Sequence, residues 1–272
     1  MPDDRADELE WLLSNSVEQP DLFNSFTDKE IGLTLLADFD YEAQLAAVRS
    51  LMRLQQSSDR RLEETIAELN SLAGKTSGIL NQQVIDEWLY HLQSSVYQDA
   101  AHSMAAVGMS APLFESIWCQ SFNRIRSTIE LDLLALGSHR RWRVPVETMW
   151  DCHCVVSKKG GAHKDLVKGA LQLAEAIGLS THLPTDIQLT SQALFAYRNK
   201  MFHLGFEWPL IEREKFQQRI AAWPSDWFAT ANEGGKPWIF YLTDTFVLHC
   251  LDSIDKVLSG LGAFARTKPW HA

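Results

Sequence analysis

An all-α fold, an antiparallel helical bundle carrying an N-terminal helical extension, is what the sequence predicts, on three observations. Apolar residues recur at spacings of three and four along most of the chain. Capping residues and glycines bracket those stretches, and only short apolar pieces such as Cys154-Val155-Val156 offer runs suited to strands. With 272 residues, the chain exceeds the needs of a minimal bundle. Its apolar fraction of 46%, with ten Trp and thirteen Phe, supplies side chains to bury, and its 22% of charged residues keeps the surface wet.

Taken in order, Asp7 to Leu13 suits a short first helix, interrupted at Pro20. Thr27-Asp28-Lys29-Glu30 reads as a capping box opening the next helix. Tyr41, Leu45, Val48, Leu51 and Met52 form an apolar stripe, which resumes after the polar break Ser57-Ser58-Asp59 with Leu62, Ile66 and Leu69. Gly74 closes this unit, so residues 1–79 are expected as the extension and residues 80–272 as the bundle proper. Asn81 to Val107 is rich in Ala and long apolar side chains, and Gly108, Ser110 and Pro112 supply a stop, a cap and an early-turn proline. That pattern predicts a helical hairpin whose second arm carries Leu113, Ile117, Phe122, Ile125, Ile129 and Leu133 before Gly137.

His139 to Gly161, with Pro145 and a Gly pair, reads as a long loop. A helix follows from about His163 to Ile177, stopped by Gly178. Another starts at Pro184-Thr185-Asp186, where Thr185 can accept a hydrogen bond from a free N–H, and ends at Gly205 and Pro209. A short helix near Ile211 to Ala222, a turn at Asn232-Glu233-Gly234-Gly235-Lys236-Pro237 and a last apolar helix from Trp238 to about Phe264 complete the chain.

Several function classes are excluded by composition. The chain has no run of eighteen uncharged apolar residues, and Met1-Pro2-Asp3-Asp4-Arg5 lacks the basic-then-apolar order of a secretory signal, so a cytoplasmic protein with no membrane partner is expected. Four cysteines in a chain this long suit reduced thiols. A net charge of −10 opposes diffuse coating of nucleic acid. Between Arg124 and Lys168, however, cations outnumber acids, and Arg140, Arg141, Arg143, Lys158 and Lys159 form either a solvated face or a patch that tracks phosphates.

Chemistry is concentrated in Arg198-Asn199-Lys200-Met201-Phe202-His203. On a helix Asn199 and His203 share a face, and Arg198, about 140° from His203, is long enough to close the gap. A guanidinium fork for a phosphate, an amide for orientation and an imidazole that exchanges protons near neutrality are the capacities phosphodiester chemistry needs. Requiring Asn beside the Arg of an Arg-x4-His pattern lowers its chance occurrence to roughly one chain in a hundred.

Here the sequence resembles the HEPN superfamily, whose hallmark is Arg, a polar residue that is often Asn, and His after four to six intervening positions, within a small helical bundle. The likeness covers about Leu80 to Phe264. It implies a metal-independent endoribonuclease acting as a homodimer, with two motif helices forming a composite cleft for RNA. By position, His203 would move a proton at the ribose 2′-hydroxyl or the leaving oxygen, Arg198 would hold the scissile phosphate, and Asn199 would orient the two. Such families serve in toxin–antitoxin and phage-defence systems, so a restraining antitoxin or other regulatory protein is an expected partner. The family also holds noncatalytic members that bind protein or RNA.

Against this stands a plainer account, in which Arg198 is a surface residue, Asn199 a helix-end amide and His203 a cation favoured by the helix C-terminus. Asp151-Cys152-His153-Cys154 gathers metal-capable side chains but lacks paired Cys-x2-Cys spacing, so neither metal nor other cofactor is expected. Glu115 is either a solvated residue or a support for catalysis. Trp208, Trp223 and Trp227 read as core or interface anchors.

Overall fold

The computed structural model describes residues 25–36, 38–129, 131 and 139–269. The helix expected from Asp7 to Leu13, the break at Pro20 and the stop at Gly137 lie outside them. In chain order the elements are α1 (Asp28–Thr34), α2 (Tyr41–Ala73), α3 (Gly78–Thr128), α4 (Val146–Trp150), β1 (Cys154–Val156), β2 (Ala162–Lys164), α5 (Leu166–Ile177), α6 (Ile187–Leu204), α7 (Leu210–Ile220), β3 (Phe228–Glu233), β4 (Lys236–Leu242) and α8 (Asp244–Arg266). Among the described residues the chain is mostly helical, in line with the expected class, with two small antiparallel two-stranded sheets, β1–β2 and β3–β4, added to it. Among the described residues no helix is long and apolar enough to cross a membrane.

Two compact units share the chain, one of Met1–Glu42, Pro112–Gln192 and Cys250–Ala272, the other of Ala43–Ala111 and Ala193–His249. In the first, α1 opens with the expected capping box: Thr27 Oγ1 accepts from Glu30 N at 3.2 Å while Glu30 Oε2 accepts from Thr27 N at 2.7 Å. Gly32 and Gly262 let α1 and the end of α8 meet backbone to backbone, since a Cβ on either would overlap the carbonyl of Leu258 or Asp28. Arg266 Nε closes that junction on Asp28 Oδ1 at 2.9 Å. α5 starts later than His163 because Asp165 is the residue whose carboxylate accepts from a first-turn amide, Lys168 N, at 3.0 Å. His163 pairs instead with Val155 in the β1–β2 ladder. Gly178, at φ 81°, ends α5 as expected.

The expected long loop is largely ordered by one buried cation. Arg141, in a 3-10 turn over Arg140–Arg143, has no exposed surface and donates to the carbonyls of Met149, Asp151 (3.0 Å) and Cys154 and to Gln172 Oε1 (3.3 Å). Gln172 in turn brackets Val156, accepting from its N–H at 2.8 Å and donating to its carbonyl at 3.0 Å. Backbone groups that would otherwise be orphaned in a buried loop are thereby satisfied.

In the second unit α2 and α3 form a helical hairpin, with Asn81 Nδ2 donating to Ala73 O at 2.6 Å across the turn. The polar break at Ser57-Ser58-Asp59 does not interrupt α2. Ser57 Oγ bonds back to Leu54 O at 2.7 Å, Ser58 Oγ accepts from Gln98 at 2.8 Å, and Asp59 lies 3.6 Å from His102 Nδ1. Nor does the chain turn at Gly108: α3 continues through Pro112 for 51 residues. Gly108 instead makes room for the Phe202 ring, whose Cζ would sit 3.2 Å from an added Cβ. Pro112 costs a helix about 3 kcal/mol. Flanking Ala106, Val107, Ala111, Leu113, Phe114 and Ile117 are all buried, and each large side chain returns roughly 1.5–3 kcal/mol.

The expected helical start at Trp238 is corrected to a strand. Gly234 and Gly235, at φ 56° and 77°, permit the two-residue turn that pairs Glu233 with Lys236. Leu242 N then donates to Ser103 Oγ at 2.8 Å, and Thr243 Oγ1 accepts from Phe246 N at 3.3 Å, so α8 begins only at Asp244.

Half-buried Asp99 on α3 faces Asp59 and Glu63 of α2 and Asp244 of α8, with His102 and Tyr241 beside it. Burial, and then those like charges, push its carboxyl up to about 6. Because this exceeds the unfolded value of about 3.9, the stabilising influence is complete below that value and is lost as pH rises through about 6. Asp99→Asn should therefore be more stable than the parent at pH 7.5, by about 1–2 kcal/mol after discounting for solvent screening. Urea titrations should show the gap narrowing as pH falls through about 6 and closing only below about 3.9; a gap independent of pH would refute the shift.

Candidate active site

Arg198, Asn199 and His203 occupy the last turns of α6, whose other face is anchored in an aromatic cluster. Tyr197 is fully buried and donates its hydroxyl to Phe240 O at 2.9 Å, and Met201 is buried one turn later. Gly205, at φ 71°, ends the helix, and its carbonyl accepts from Trp208 Nε1 at 2.8 Å. Trp208 stacks on Phe240 (5.3 Å) and meets Phe216 edge-on (4.9 Å), while Arg213 ties Trp208 O to Pro237 O at 2.6 and 3.1 Å. Trp208, Trp223 and Trp227 are all buried, in line with their expected role as anchors.

On this support the outer face of α6 is polar and open. Arg198 donates to Asn199 Oδ1 at 3.1 Å, and its guanidinium lies 5.6 Å from the centre of the Phe202 ring. Asn199 and His203 are both exposed, one helical turn apart. Lys200 is drawn aside into an ion pair with Glu212. The structure thus joins Arg198 to Asn199 directly and leaves His203 accessible at the helix C-terminus. Around them Phe202 (49%), Leu204, Leu210 and Ile211 (63%) keep apolar surface exposed.

The basic residues separate by burial. Arg141 is wholly internal, so it leaves the expected phosphate-tracking patch: its guanidinium is spent on carbonyls of its own loop. Arg140, Arg143 and Lys158, with His139 and Glu175, line a depression of about 330 Å³, and Lys159 is exposed. Burial lowers the pKa of His139, which favours its neutral form there.

A second cluster is assembled from residues far apart in sequence. Cys119 on α3 approaches Cys152 with 3.0 Å between sulfurs, and Cys152 Sγ lies 3.7 Å from His153 Nδ1. His153 Nε2 is 2.9 Å from Glu115 Oε1, and Asp151 Oδ1 is 3.5 Å from Nδ1. The contact with Cys152, aided by the His153 charge, draws the Cys119 thiol down to about 7. Cys119 was invisible as a partner because 33 residues separate it from Cys152. The one local signal is that Glu115 and Cys119 share a helix face at i and i+4. Glu115 thereby has a defined partner in His153.

No family model, curated protein or solved structure matches the chain.

Proposed function

We propose that the chain is a metal-independent endoribonuclease of HEPN type that acts as a homodimer through its α6 face. The observation that carries this is the accessible imidazole of His203 on the same exposed helix end as the Arg198–Asn199 pair, held on a rigid aromatic base. His203 transfers the proton between the ribose 2′-hydroxyl and the departing 5′-oxygen, giving a 2′,3′-cyclic phosphate and a 5′-hydroxyl. Arg198 neutralises the charge building on the phosphate oxygens; Asn199 sets the direction of its fork. Together these supply the proton transfer and charge compensation that a metal provides in other nucleases.

A second subunit would cover Phe202, Leu204, Leu210 and Ile211 and bring a second Arg198 and His203 into the cleft. A restraining antitoxin or regulatory protein competing for that face fits a toxin or phage-defence role. The same exposed apolar side chains favour the second reading, a noncatalytic module that binds protein or RNA. Incubating the purified chain with single-stranded RNA in EDTA separates the two. Cleavage to cyclic-phosphate ends supports the enzyme, whereas intact RNA at every ratio of protein, alongside a stable complex, supports the binding module.

A further inference from the structure

We propose that Cys119, Cys152 and His153 form a zinc site that clamps the loop between α4 and β1 onto α3. Their three donor atoms all lie within 4.8 Å of one another. Tetrahedral zinc, with bonds of about 2.3 Å to sulfur and 2.0 Å to nitrogen, places neighbouring ligand atoms about 3.5–3.8 Å apart. The 3.7 Å from Cys152 Sγ to His153 Nδ1 already meets that spacing. The sulfurs, 3.0 Å apart, need to part by about 0.8 Å, a small rotation about χ1.

The orientation of His153 is the decisive feature. Its Nδ1 faces Cys152 Sγ while Nε2 is held 2.9 Å from Glu115 Oε1, the arrangement in which a carboxylate takes the outer N–H and fixes the ring for a metal. A disulfide would account for the two sulfurs but gives no reason for the imidazole to be aimed at one of them and anchored behind. A water would complete the fourth position, as in zinc sites with three protein ligands; Asp151, whose Oδ1 lies 3.5 Å from Nδ1, stands beside the site.

The loop is preorganised for this. Arg141 binds the carbonyls on either side of the Cys152–His153 pair, those of Asp151 and Cys154. Gly169 of α5 allows Cys152 O and Cys154 O to pack where a Cβ would collide. Two sulfurs and one imidazole nitrogen select a borderline-soft ion such as zinc over magnesium or calcium. Two thiolates balance its charge, and binding releases up to two thiol protons to solvent.

Metal analysis of the full-length protein, purified under reducing conditions without chelator, should give one zinc per chain. After the zinc is stripped, titration with cobalt(II) alone should produce the thiolate charge-transfer band and the visible bands of tetrahedral cobalt. Cys119→Ser and His153→Ala should each abolish stoichiometric binding, whereas Cys250→Ser should not. Glu115→Gln, which keeps the site's shape, should weaken affinity about 10–100-fold. The proposal is overturned by protein that folds yet binds neither metal, by Cys119→Ser that binds as the parent does, or by alkylation showing Cys119 and Cys152 joined as a disulfide in freshly reduced and repurified protein. None of these readouts depends on RNA cleavage.

Discussion

His203→Ala is expected to lower RNA cleavage by about three orders of magnitude, within the range for removal of a general acid–base, while leaving the fold intact. The two halves of that expectation have separate physical grounds. The imidazole is exposed at the end of α6, and surface substitutions of this kind stay within about 0.5 kcal/mol. As a cation at the helix C-terminus it would add about 0.3–1 kcal/mol. A folded, helical His203→Ala protein with parental cleavage would therefore refute the assigned role directly. Arg198→Lys should give a smaller loss, since the point charge survives and the planar fork does not. Asn199→Ala should fall with it, because Asn199 Oδ1 accepts from Arg198 at 3.1 Å. Each rate would be followed by gel electrophoresis of a labelled RNA, with circular dichroism as the control for folding.

The features legible in the sequence are those decided within a few residues. Thr27 and Glu30 cap α1, and Gly178 and Gly205 stop their helices, because capping and left-handed glycine are local chemistry. The spacing that places Arg198, Asn199 and His203 in the last turns of one helix is likewise local. Where distant packing decides, the local signal misleads. Gly108 and Pro112 look like a helix boundary until Phe202 is seen against the glycine and the apolar residues on both sides are seen buried. Trp238 to Leu242 has the large side chains of a buried helix and becomes a strand because Gly234-Gly235 turns it back along β3. Within the candidate sites the same division holds. Arg141 looks like its neighbours Arg140 and Arg143 but is internal. Cys119 reveals nothing until α3 carries it beside Cys152 and His153.

Arg141→Met should destabilise the unit that contains it by about 3 kcal/mol, the largest stability effect we expect from a single side chain here. The replacement has similar length and no donors, so the carbonyls of Met149 and Cys154 lose their Arg141 donor, while Asp151 O keeps Cys154 N at 2.9 Å and Gln172 Oε1 keeps Val156 N at 2.8 Å. Each buried acceptor left alone costs about 1–3 kcal/mol. Opposing this, the mutant no longer has to strip water from a guanidinium, a large penalty in its own right, and that is why the net falls well below the sum. Arg141→Lys tests the balance: the charge is kept, but three rotatable donors on a flexible stem cannot span four acceptors at fixed angles, so an intermediate loss is expected. The comparison is made by urea unfolding, read as a fall in midpoint at constant slope. A methionine variant as stable as the parent would mean that the loop between α4 and β1 satisfies its own backbone. A lysine variant worse than methionine would mean that charge burial, rather than lost hydrogen bonds, dominates at this position.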